Sequence, residues 1–62
     1  MTAVAYLMGC GWGIKRIAAY LGIVSGLVSI EQARLYRMAD LMRRKPQNRQ
    51  AAYVGWWRRQ IA

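Results

Sequence analysis

Between Ile17 and Val28 the chain spaces its small and apolar residues in a way that demands a reversal of direction: Ile17-Ala18, then Leu21-Gly22-Ile23, then Val28. Two short helices that meet at a steep angle need a small residue at their closest approach and a backbone position free to turn. Ala18 and Gly22 meet those needs. Ile17 and Leu21 lie four apart on one helical face, and Ile23 and Val28 are expected to face back toward them from the next helix, closing a small apolar core. Gly22 is expected to take the left-handed conformation that ends a helix.

Upstream, Val4, Leu7 and Met8 recur at helical spacing behind Thr2, an acceptable N-cap, which predicts a first helix over residues 3–10. Glycines at 9, 11 and 13 interrupt it, and Ile14-Lys15-Arg16 opens the second helix. This order, VAYLMGCGWGIKRIAAYLGIVSGLV over Val4 to Val28, resembles the trihelical helix-turn-helix DNA-binding units of resolvase-type and invertase-type recombinases, transposases and small phage or bacterial regulators. The likeness covers about 25 of the 62 residues. It implies a duplex DNA partner, with the third helix in the major groove and Ser25, Ser29, Gln32 and Arg34 toward the bases. Lys15 and Arg16, helped by the dipole of the second helix, are expected to hold a phosphate. Where members of this family carry polar residues early in the third helix, the chain reads Val24-Ser25-Gly26-Leu27-Val28-Ser29-Ile30, so modest sequence discrimination is expected. Glu31 stands near a position that is often apolar in the family.

The formal charge of +8 is unevenly placed. Residues 1–33 carry a net +1, whereas 34–62 carry a net +7 from Arg34, Arg37, Arg43, Arg44, Lys45, Arg49, Arg58 and Arg59 against Asp40. Such a half attracts a polyanion, either nucleic-acid phosphate or an anionic membrane surface. In the DNA reading these arginines add backbone contacts, and affinity falls steeply with salt. With no histidine, one cysteine and only Glu31 and Asp40 as acids, neither a metal cluster nor paired-carboxylate chemistry is expected, and no cofactor. Cys10 lacks a histidine to activate it and reads as a small residue at a helix end. The chain is not read as an enzyme.

Beyond Val28, Ser29-Ile30-Glu31-Gln32 has the form of a capping box, so a helix could start there as easily as continue. Leu35, Met38, Ala39 and Met42 follow at i, i+3, i+4 and i+7, an apolar stripe on a helix expected to reach about Arg44, flanked by Glu31–Arg34 and Asp40–Arg43 or Asp40–Arg44 pairs. Lys45-Pro46-Gln47-Asn48 predicts a hinge, because proline disfavours helix in the residue before it. Asn48 can cap a last helix over 49–61 that places Ala51, Ala52, Val54, Trp57 and Ile61 broadly on one side, with Trp57 as its anchor. Trp56 with Arg58-Arg59 reads as a nucleic-acid or partner surface.

Two apolar runs of 14 residues, separated by Lys15-Arg16, are each too short for a bilayer core of about 30 Å. Joining them would put Lys15 and Arg16 near the bilayer centre, so no spanning helix is expected; no lysine or arginine precedes the first run, so no secretory signal is expected, and the reading is cytoplasmic. The sequence therefore points to an all-α single domain over 1–62 with four to five helices: a helix-turn-helix unit over 3–30, a basic helix over 31–44, a hinge over 45–48 and a Trp/Arg helix over 49–61. Nucleic acid binding, by a homodimer if self-association doubles the contacts, is the leading function. Two alternatives stay open. One is a cationic membrane-active peptide anchored by Tyr53, Trp56 and Trp57; the other is a protein-binding regulator that docks through Val24, Leu27 and Ile30.

Overall fold

The computed structural model describes residues 3–44 and 46–61, and of Arg44 the backbone alone. Five helices account for most of the described chain, with no strand among the described residues. The first, α1 (Ala3–Gly9), buries Val4, Ala5 and Met8. It ends one residue earlier than expected, because Gly11 turns at φ 91° and its N–H donates to the Met8 carbonyl at 2.9 Å. The Thr2 cap lies outside the described residues.

The reversal sits where the spacing placed it. Helix α2 (Ile14–Leu21) ends on Gly22, which is left-handed at φ 68° and ψ 33°. The N–H groups of Gly22 and Ile23 both donate to the Ala18 carbonyl, which satisfies an acceptor that the helix end would otherwise orphan. Three residues, Gly22 to Val24, join α2 to α3 (Ser25–Met38). Ile17 and Val28 are fully buried and Ala18 nearly so, and α1 packs across this corner against α3. Ile23 departs from expectation: it belongs to the turn and not to α3, shares no helical face with Val28, and is partly exposed.

Helix α3 runs unbroken through Ser29, so the capping-box sequence is not used as a start. Once the helix is in register, N–H groups around Ser29 already find i−4 carbonyls and need no cap. The helix expected to reach Arg44 stops at Met38 instead. Asp40 takes φ 59°, a left-handed position that Asp tolerates better than most residues, and the short α4 (Leu41–Arg44) follows. The break rephases the apolar stripe: Leu35 and Leu41 enter the core, while Met38 and Met42 stand exposed.

Helix α5 (Arg49–Ile61) starts as expected, with the Ala51 N–H donating to Asn48 Oδ1 at 3.1 Å. Its inner face differs from the expected one. Tyr53 and Trp57, four apart, form it, whereas Ala51 and Ile61 are exposed. Tyr53 is completely buried and its hydroxyl donates to the Ala5 carbonyl at 3.1 Å. Trp57 lies over Gly9, where a Cβ would come within 2.2 Å of the indole, so only glycine admits this contact. Tyr6 meets Trp57 edge-on and Tyr36 meets Tyr53, which ties α5 to α1 and α3. The Gln50 side chain also donates to the Gly11 carbonyl at 2.8 Å. The radius of gyration, 11.0 Å, compares with about 10.6 Å for a packed globule of this length.

Candidate nucleic-acid interface

At the start of α2, Gly13 offers no side chain to cap the first free N–H groups, and Lys15 and Arg16 stand exposed in the first turn. Arg16 is held in place. Its guanidinium lies 3.9 Å from the centre of the Trp12 ring, and Tyr20 meets the same ring edge-on at 5.3 Å. Residues 12, 16 and 20 follow at intervals of four, a spacing visible in the sequence. An exposed cation–π contact of this kind is worth about 0.5–1 kcal/mol, enough to bias where the charge sits.

Helix α3 begins behind Val24, whose side chain cannot cap it. Ser25 and Ser29 are exposed, and Gln32, half-buried, continues the same line at i, i+4 and i+7. Beside them, a Cβ on Gly26 would meet nothing within 4 Å, so the backbone of the first turn is open to a close approach. Arg34 does not join this line. It stands nine positions after Ser25, about two and a half turns and so on the opposite side of the helix. Its Nε donates to both Glu31 carboxylate oxygens, at 3.1 and 3.3 Å, and its Nη2 also meets Glu31. That carboxylate pushes the Arg34 pKa upward through the hydrogen bond and its charge. The sequence placed Arg34 beside the two serines; the structure places it with Ile30 and Arg37 on the outer face.

The remaining basic residues belong to other elements. Arg43 is exposed on α4, while the Arg44 side chain and Lys45 lie outside the described residues. Arg49, half-buried at the start of α5, is close enough for its charge to lower the Tyr36 pKa, a smaller effect than the burial that raises it. Arg58 and Arg59 are exposed at the far end of α5, whose main packing partner is α1. Tyr53 and Trp57, read from sequence as part of an interfacial anchor, are core residues. Burial raises the Tyr53 pKa, with Tyr36 and Glu31 adding to it. Trp56 alone of that trio keeps an accessible edge. No helix among the described residues is long and apolar enough to cross a membrane.

Comparison with known protein families, with characterised proteins and with solved structures gave no match.

Proposed function

We propose that this chain is a small basic nucleic-acid-binding protein, with duplex DNA as its main partner, acting in the cytoplasm as a transcriptional regulator of phage or bacterial type and not as an enzyme. The observation that carries this reading is the α2–α3 corner. A left-handed Gly22 and a buried Ile17–Ala18–Val28 nest hold two helices so that the uncapped start of α3, with Ser25, Gly26 and Ser29, stands open to solvent. Lys15 and the Trp12-braced Arg16 supply phosphate contacts, and Ser25 and Ser29 supply hydrogen bonds to base edges. Serine hydroxyls discriminate bases weakly, so phosphate contact dominates affinity and a dimer would be needed to sharpen specificity. Arg37, Arg43, Arg58 and Arg59 extend the positive field.

A duplex titration at two salt concentrations tests the reading. Lys15→Ala with Arg16→Ala is expected to weaken binding and to reduce the slope of log affinity against log salt by about two, near one per lost phosphate contact. An unchanged slope removes the corner from the interface.

One specific observation favours a second reading. Val24, Leu27 and Ile30 are exposed, at 67%, 55% and 70%. Such a face suits docking on a protein, and that function predicts little duplex affinity at physiological salt. The membrane-surface reading has lost its main support, because two of its three anchoring rings are spent on the core.

A further inference from the structure

The break at Ala39-Asp40 leaves a notch of about 400 Å³ between the start of α4 and α5, away from the α2–α3 turn. Its α5 wall is a single strip at successive helical turns: Ala52, Gly55, Trp56 and Arg59. Ala39 and Asp40 face it from the other side. Gly55 is the informative member. A glycine in mid-helix costs about 1 kcal/mol relative to alanine, and the fold does not require one here: a Cβ at this position would meet only the Arg59 guanidinium, at an ordinary 3.7 Å. Gly9 is the opposite case, since there the Trp57 ring forbids any side chain. What the absent side chain at 55 does is keep the notch open beside Trp56, whose ring is backed by Tyr53 at 5.6 Å between centres. An aromatic wall beside small residues, with the Arg59 guanidinium reaching back to within 3.7 Å of where a Gly55 Cβ would stand, matches a planar base joined to an anion. The size falls within the range of small-molecule sites.

We propose that this notch takes one unstacked nucleotide, with its base on Trp56 and its phosphate at Arg59. The inference rests on the nucleic-acid reading above and deepens it, because an unstacked base comes from a single strand, a frayed end or a free nucleotide and not from the interior of a duplex.

The test is a titration of the ¹⁵N-labelled full chain with AMP, GMP, CMP and UMP, with ribose 5-phosphate as the base-free control. Saturable shifts of the Trp56 indole N–H and the Gly55 amide are expected with the nucleotides, and at least about tenfold weaker binding of ribose 5-phosphate. Gly55→Leu fills the notch with a better helix former, and is expected to abolish the Trp56 shift while duplex binding and thermal melting persist. Arg59→Gln, at an exposed position, is expected to weaken AMP about tenfold while adenosine binds as before. Equal binding of AMP and ribose 5-phosphate, or AMP binding that survives both substitutions, overturns the proposal. Two short single strands, one with bases and one abasic, identify the source. A base-bearing strand that binds more tightly than AMP assigns the notch to a strand, and equal affinity assigns it to free nucleotide. If duplex binding proves absent while the Trp56 shift persists, the parent reading fails and this one stands; the reverse pattern sinks this one alone.

Discussion

The α2–α3 corner is closed by Ile17, Ala18 and Val28 and by two N–H groups on one carbonyl, whereas α5 is fastened to α1 by Tyr53 and Trp57 lying over Gly9. Burying a branched aliphatic side chain contributes about 1.5–3 kcal/mol. Each ring covers about 150–250 Å², which at 25 cal/mol per Å² is roughly twice as much, as an upper bound. The corner with the open helix start is thus set by the Gly22 turn and a small aliphatic nest, and the aromatic contact contributes more to stability. At the corner, the exposed Lys15, Arg16, Ser25 and Ser29 proposed to bind are separate from the buried rings of Tyr53 and Trp57 that fasten α5 to α1.

The largest effect should come from the aromatic side. Trp57→Ala is expected to cost about 3–5 kcal/mol in a urea melt, and Val28→Ala roughly half of that. If Val28→Ala proves the more damaging, the ranking of the two regions is wrong. Gly22→Ala follows, at about 1–2 kcal/mol, because an L-residue is strained at φ 68°. Gly26→Ala sharpens the point with the opposite sign, since an ordinary helical position with open space around it should gain up to about 1 kcal/mol. Asn48→Ala should cost about 1 kcal/mol through the lost cap on Ala51. The smallest effect is alkaline. Burial raises the folded-state pKa of Tyr36 and Tyr53 above their unfolded values, so the folded state holds those protons more tightly. Stability from this source is complete below about pH 10, and is lost as pH rises through the folded values. Melting temperatures across pH 9 to 11 should fall less in Tyr36→Phe than in the parent chain.

Short-range features were legible in the sequence, and long-range ones were not. Gly22, the Ala18–Val28 spacing, the Asn48 cap and the 49–61 helix all follow from neighbours within a few turns, and each stands where the spacing placed it. Tyr53 was misread because its partner, the Ala5 carbonyl, is 48 residues away, and an amphipathic aromatic near arginines looks alike in a core and at an interface. Met38 and Met42 fitted a continuous helical stripe, and only the left-handed Asp40 breaks that phase. In the candidate site, Lys15, Arg16, Ser25 and Ser29 are exposed, and Arg34 falls on the far side of α3. Trp12 beneath Arg16 and Gly55 beside Trp56 were not legible. Trp12 acts through Arg16 one turn away and Gly55 through the space it leaves beside Trp56, and neither carries a charged group that marks it in the sequence.

The most direct test of the binding corner is an amide shift map of the ¹⁵N-labelled chain against a short DNA duplex at low salt. Shifts concentrated at Lys15, Arg16, Ser25, Gly26 and Ser29, fading as salt is raised, are the predicted result. Shifts confined to α4 and α5, with the α2–α3 turn unmoved, would contradict it.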